Sequence, residues 1–284
     1  MDKNTILNDL GVERTEDFDV KRAIRQRIDY LKDYVLNNNV SSIVLGISGG
    51  VDSTTAGRLA QIAMDELAGE HQRDYKFIAV RLPSHVQADE AEAQTALDFI
   101  EPNYTLTLNV GPLADLAIDT VNSAIEQEFG TNMTDELFDF TKGNIKARSR
   151  MIMQYAVAGI KNGLVLGTDH NAEAVMGFYT KYGDGGCDIL VLNGLNKRQV
   201  RLVAKELGAP EVLYSKVATA DLEEDKPQIP DEVALGVTYD DIDDFLEGKE
   251  VSPEAEVKII AQYTKTVHKR EMPVGFTSHS LQNI

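Results

Sequence analysis

The chain has 284 residues, 43% of them hydrophobic, enough to bury a sizeable core as one large or two small domains. Its 46 acidic residues outnumber its 28 basic ones, for a net charge of −18, which argues against a general nucleic-acid binder because that function needs a basic face. A single cysteine, Cys187, excludes an internal disulfide. No Cys/His cluster suggests structural zinc, and neither a run of about 18 apolar residues nor a signal-peptide pattern is visible, so the expectation is a cytoplasmic protein with no membrane contact. No composition break divides it, which predicts one domain over 1–284.

In chain order, residues 20–36 carry Ile24, Ile28, Leu31, Tyr34 and Val35 at helical spacing. The apolar run 41–45 predicts a strand and 54–67 a helix. Residues 77–82 suit a buried strand, 88–100 an acidic helix, 104–110 an alternating strand and 113–128 another helix. A long helix is predicted over 144–161, a buried strand over 163–167, a helix over 196–207 closed by Gly208, and a last helix over 252–268. Strands alternate with helical segments and no hairpin signal appears, which predicts an α/β fold: a parallel sheet with helices on both faces. Such sheets bind ligands beyond the carboxyl ends of their strands. There the polar strand ends at 46–53, Arg81 and 167–170 would converge. Two loops lie outside this frame, the glycine- and aromatic-rich "FYTKYGDGG" at 178–186 and the charged stretch 215–232, which reads as a lid. The polar connection 68–75 has no functional explanation.

The most informative stretch is "GISGGVDS", 46–53, between the first strand and the following helix. Gly49 and Gly50 permit positive φ and close approach of a ligand. The helix start supplies free N–H groups, and Ser48 and Ser53 supply hydroxyls, which together favour a phosphate. Asp52 would repel phosphate unless a cation such as Mg²⁺ lies between them. The alternative is a plain strand–helix turn capped by Asp52 or Ser53. The Gly-Lys-Ser/Thr ending of a Walker A loop is absent.

SGGVDS resembles the loop of the N-type ATP pyrophosphatases. With "GNIKARSRM" (143–151), "GTDHNAEAVMGFYTKYGDGGCDI" (167–189), "LNKRQV" (195–200), the block 219–248 and "HKR" (268–270), nearly the whole chain is similar in order to the NAD⁺ synthetase family. The resemblance implies a Rossmann-type, adenine nucleotide α-hydrolase-like fold. It implies a ligase in which ATP adenylates the carboxylate of deamido-NAD⁺, releasing pyrophosphate, and ammonia then displaces AMP to give NAD⁺.

Carried over residue by residue, Gly46, Ile47, Ser48, Gly49, Gly50, Val51, Asp52 and Ser53 would hold the phosphates. Asp52 and Glu173 would ligate Mg²⁺, and Lys197 would neutralise phosphate charge. Arg81, Gln87, Thr168 and Thr219 would contact ATP. Arg148, Lys181, Asp188, His268 and Lys269 would contact deamido-NAD⁺, with Phe178, Tyr179 and Tyr182 available to stack on a ring. The resemblance also implies a homodimer with the dinucleotide site at its interface, for which helices 20–36 and 144–161 are the candidates. The sequence shows no amidase-like domain, and Cys187 lacks a supporting base, so free ammonia is the expected nitrogen donor. Other adenylating pyrophosphatases, such as a tRNA thiolation enzyme or a GMP synthetase subunit, and a regulatory nucleotide binder without turnover remain alternatives. A sulfur-transfer enzyme would call for more cysteines and a tRNA binder for a basic face.

Overall fold

The computed structural model describes residues 2–85, 90–131, 133–220 and 229–273. Its first half runs α1 (Lys3–Leu10), α2 (Val20–Asn37), β1 (Ser42–Gly46), α3 (Val51–His71), β2 (Lys76–Arg81), α4 (Glu90–Ile100), β3 (Tyr104–Thr107), α5 (Gly111–Phe129) and α6 (Asp135–Ile160). The second half continues with β4 (Gly163–Gly167), α7 (Asn171–Met176), β5 (Ile189–Leu190), α8 (Lys197–Glu206), α9 (Glu211–Tyr214), β6 (Thr219–Ala220) and β7 (Ile229–Pro230). It ends with α10 (Asp231–Leu235), α11 (Tyr239–Leu246), α12 (Pro253–Lys265) and α13 (Val267–Arg270).

The five-stranded sheet has the order β3-β2-β1-β4-β5, and every neighbouring pair is parallel. The chain moves outward from β1 to β2 and β3, then returns to β4 on the other side of β1. The strand order therefore reverses between β1 and β4, where a parallel α/β sheet leaves a crevice at its carboxyl edge.

The period of two along a strand sends successive side chains to opposite faces. Ile43 and Leu45 of β1 join the core formed with α2, α3 and α8, including Leu31, Leu59, Met64 and Val200. Val44 joins Ile78, Val80, Val165 and Ala158 on the other face, beneath α6. Burying each such side chain contributes roughly 1.5–3 kcal/mol relative to exposure. Helices thus cover both faces, as the alternating pattern predicts. A third cluster, with Ile6, Val175, Ile242, Phe245 and Ile259, packs α1, α7, α11 and α12 beside the sheet.

Several boundaries differ from the sequence pattern, each for a physical reason. Helix α3 begins at Val51 rather than residue 54, so Asp52 and Ser53 lie in its first turn. Helix α6 begins nine residues before 144, capped by the Thr134 hydroxyl, because the polar run containing Gly143 hides its periodicity. Strand β3 stops at Thr107 and is exposed throughout; its alternation belongs to an edge strand. The last predicted helix divides after Lys265 into α12 and α13. An antiparallel pair does exist, β6 with β7, but two-residue strands are too short for a period-two signal. Helices α1 and α11, the latter inside the charged stretch 219–248, were absent from the sequence-based expectation. Of the expected lid, 221–228 lie outside the described residues, and the rest includes the C-cap of α9, the β6–β7 pair and the start of α10. Among the described residues no helix is long and apolar enough to cross a membrane.

Candidate active site

A cleft of about 540 Å³ opens at the carboxyl ends of β1 and β4. Its floor is the 46–53 loop. Ile47 N–H donates to the Val80 carbonyl at 2.9 Å, which ties the loop to β2. Ser48 and Ser53 hydroxyls lie 3.1 Å apart, and Gly50 N–H donates to Ser48 Oγ at 3.2 Å. The two glycines do different work. Gly49 has φ +90°, and a Cβ there would lie 2.8 Å from the Ala93 backbone nitrogen in α4. Gly50 has φ −75° and serves as the N-cap of α3, so the expectation of positive φ holds only for Gly49. No side chain caps α3, which sets aside the plain turn capped by Asp52 or Ser53. The first-turn N–H groups and the positive end of the helix dipole therefore face the cleft.

Asp52 projects from this turn into a buried charge cluster built from three chain segments. Lys197 Nζ, at the start of α8, donates to Asp52 Oδ2 at 2.8 Å and lies 3.8 Å from Glu173 Oε1 of α7. His170 Nε2 lies 3.3 Å from Lys197 Nζ and 3.5 Å from both Asp52 Oδ1 and Glu173 Oε1. Lys197 is 1% exposed and His170 likewise 1%. Burial raises the Asp52 pKa, but Lys197 and His170 outweigh it and hold the carboxyl well below the usual range. Burial pushes Glu173 up to about 8, because Lys197 is farther away and Asp52 opposes a second negative charge. Burial also raises Asp169 to about 8, with Asp184 and Asp52 adding to it. Burial works against the charge on Lys197, but Asp52 and Glu173 raise its pKa overall, so the ammonium stays charged. Lys197 and His170 thus favour the ionised form of Asp52, whereas burial disfavours a second negative charge at Glu173.

Ligand atoms of Asp52, His170 and Glu173 lie within 4.8 Å of one another, and Asp52 Oδ1 is buried without a hydrogen-bond partner. The two carboxylates are the hard oxygen donors that suit Mg²⁺, whereas the His170 nitrogen is not. His170 was missed as a site residue. Its signal was available, since it stands between Thr168 and Glu173 and three residues before the latter.

Most of the expected ATP residues line the cleft: Gly46, Ile47, Ser48, Gly50, Val51, Ser53, Arg81, Thr168, Lys197 and Thr219. Gly49 lies behind the loop against α4. Gln87 is outside the described residues. Arg81 is 2% exposed; its guanidinium donates to the Ile47 carbonyl and pairs with Glu90 at 2.8 Å, so it braces the loop from below. The residues expected for deamido-NAD⁺ are dispersed. Lys269 lines the cleft and donates to the carbonyls of Gly177 at 2.8 Å and Tyr179 at 2.6 Å. Phe178 and Tyr179 line it too, while Tyr182 points to solvent. Lys181 donates to the His268 and Glu271 carbonyls, and Arg148 and His268 are exposed outside the cleft. Asp188 is committed elsewhere, since its carboxylate accepts from Val165 N–H at 2.7 Å and the Tyr155 hydroxyl at 3.1 Å. It holds the start of β5 against β4 rather than facing the cleft. Burial, Asp169 and Asp188 push the Cys187 thiol up to about 12, which disfavours a thiolate nucleophile.

Residues 23–273 match a family model described as NAD synthase. The chain belongs to the NAD synthase family. Its curated relatives include the NH(3)-dependent NAD(+) synthetase of Limosilactobacillus fermentum, 56% identical over 272 residues and 95% of each chain. The synthetase of the same name from Streptococcus uberis is 54% identical over 274 residues, 96% of each. Among solved structures, NAD+ synthetase from Burkholderia pseudomallei matches with TM-score 0.79 and 46% identity, covering 95% of this chain and 96% of that one. NMN synthetase from Francisella tularensis matches with TM-score 0.76 and 31% identity, covering 91% and 98%.

The geometry of Gly49 gives a direct test of the loop. Gly49→Ala places a side chain at positive φ and against the Ala93 backbone, a strain of about 1–3 kcal/mol. The expected outcome is a loss of that size in urea unfolding together with weakened ATP binding by calorimetry; unchanged stability would show that the loop tolerates a Cβ.

Proposed function

We propose that this chain is an ammonia-dependent ligase that converts deamido-NAD⁺ to NAD⁺ with cleavage of ATP to AMP and pyrophosphate. The observation that carries the reading is the buried Asp52–Lys197–Glu173–His170 cluster beside an uncapped helix start, in a chain of the NAD synthase family. A nicotinate carboxylate oxygen attacks the α-phosphorus of ATP, the bond to the bridging oxygen breaks, and pyrophosphate leaves. The nitrogen lone pair of ammonia then attacks the acyl carbon, the carbon–oxygen bond to AMP breaks, and the nitrogen sheds a proton.

No protein nucleophile is needed. The chain's task is to hold charge and alignment in a site shielded from water. The α3 N–H groups with Ser48 and Ser53 receive phosphate oxygens, and Lys197 supplies a fixed positive charge next to them. Asp52 and Glu173 would hold Mg²⁺, which when bound neutralises phosphate charge. Thr168, just past β4, and Thr219 of β6 border the cleft.

We further propose a homodimer. Helix α2 turns its apolar face toward α3 and α8, so it is mainly a core helix. The exposed apolar side chains gather instead on α5 and α6: Leu116, Val121, Phe129, Leu137, Phe140 and Ile152. Phe140 also lines the cleft, and Arg148 is exposed on the same helix, so a second copy against this face would help enclose the dinucleotide.

Incubation with ATP, Mg²⁺, ammonium and deamido-NAD⁺ is expected to yield NAD⁺, AMP and pyrophosphate, and no NAD⁺ would overturn the reading. Asp52→Asn is expected to stay folded and lose on the order of 10²–10³ in kcat, the usual cost of removing a charge contact to the transition state; near wild-type turnover would remove Asp52 from the mechanism.

The raised Glu173 pKa predicts how metal and pH interact. Its folded value of about 8 lies above the ordinary 4.5, so between these the native state holds the extra proton. That contribution to stability is therefore lost as pH rises through 8. At Glu173 a bound Mg²⁺ would take the proton's place. The gain in melting temperature on adding Mg²⁺ is expected to be larger at pH 8.5 than at pH 6; an equal gain would show that Glu173 is not a ligand.

For assembly, sedimentation at micromolar concentration is expected to show a dimer. The double variant Phe129→Asp, Ile152→Asp should be monomeric with a raised KM for deamido-NAD⁺, and a fully active monomer would reject the shared site.

A further inference from the structure

The α8 start that carries Lys197 is held by one stripe of polar side chains. Tyr239, Asp243 and Glu247 are spaced by four residues along α11 and its C-terminal cap, and each is buried. The Asp243 carboxylate accepts from the backbone N–H of Lys197 at 3.1 Å and of Arg198 at 2.8 Å. Glu247 accepts from the Asn196 side chain at 2.9 Å, and Asn196 and Gln199 form a capping box. The first-turn donors of α8 are thereby satisfied, and the backbone of Lys197 is fixed. Its side chain is not fixed by these bonds, because a lysine ammonium sits on a flexible four-carbon stem.

The aromatic ring of Tyr239 supplies that second constraint. Lys197 Nζ lies 4.9 Å from the ring centroid. The ring is itself clamped: it is 3% exposed, its hydroxyl donates to Asp231 Oδ2 at 3.0 Å, and its backbone N–H donates to Glu232 Oε1 at 2.8 Å. The other close neighbours of the ammonium are Asp52, His170 and Glu173. Each of those can be drawn to another cation, and its hold on the lysine then weakens. The face of Tyr239 attracts the ammonium through the quadrupole of a ring that its own hydrogen bonds hold in place.

We propose that Tyr239 is a positioning residue, whose ring keeps the Lys197 ammonium directed at the phosphates in the cleft. It rests on the reading of the cleft as an ATP site, and its action is through Lys197 rather than on the substrate.

The test compares the wild type with Tyr239→Leu and Tyr239→Phe, all first shown to be folded by thermal melts. Two quantities are read: ATP affinity without metal, by equilibrium dialysis, and kcat for NAD⁺ formation at saturating substrates. Tyr239→Leu is expected to lose about tenfold in each, the scale of a desolvated cation–π contact, with the KM for ammonia unchanged. Tyr239→Phe, which keeps the ring, should recover all but a few-fold of both. If Tyr239→Leu does not fold, Tyr239→Met fills the same space without a ring and takes its place. A ringless variant with wild-type ATP affinity and kcat overturns the proposal, as does a Phe variant that is as impaired as the ringless one. A wild type that binds ATP but makes no NAD⁺ instead overturns the functional reading, while the affinity comparison still decides the role of Tyr239.

Discussion

The ion pair between Lys197 and Asp52 is the contact on which the architecture of the cleft depends. It joins the first turn of α3 to the first turn of α8, 145 residues apart in sequence. Glu173 and His170 bring α7 to the same point. Burying two charges costs several kcal/mol in lost hydration, and their attraction returns that only when geometry and further hydrogen bonds are good. Such a pair is weak evidence for stability. A centre of this kind makes sense as a place where charge must already be arranged before an anionic ligand arrives.

The fold explains how three helix starts meet. Strands β1 and β4 are adjacent and parallel, so the chain leaves both at the same edge of the sheet. Each exit leads into a helix, α3 or α7, whose N-terminus points back over the sheet edge. The loop after β5 then feeds α8 into the same region. Arg81 at the end of β2 does not enter the charge cluster. It binds the Ile47 carbonyl and Glu90, which fixes the 46–53 loop against β2 and α4.

Much of this was legible in the sequence because the signals are local. The buried strands read as apolar runs, and SGGVDS announces itself by residue types that a plain turn does not need. Asp52, Glu173 and Lys197 sit beside strand ends or at a helix start, and the fold brings all three together. What was not legible depends on contacts distant in the chain. Nothing near Asp188 says that its carboxylate will be taken by Val165 N–H and Tyr155. Arg148, Lys181 and His268 have the right chemistry for a dinucleotide, yet they stand outside the cleft. His170 was passed over although it stands between Thr168 and Glu173, because a lone histidine is more often a structural residue than a functional one. Helix α11 was hidden by its acidic composition, although Tyr239, Ile242, Phe245 and Leu246 form its buried face.

The net charge of −18 poses a problem for any site that takes phosphates, and the structure answers it locally. Acidic side chains on the surface are screened over about 10 Å at ordinary ionic strength, whereas a buried ammonium is screened much less. Lys197 is such an ammonium, and the uncapped start of α3 adds fixed partial positive charge that cannot be titrated. Burial and Asp52 raise the Glu173 pKa to about 8, which disfavours a second negative charge beside Lys197. An acidic protein can thus present a locally neutral to positive cleft, because the groups that set its potential are buried and the ones that set its net charge are largely in solvent.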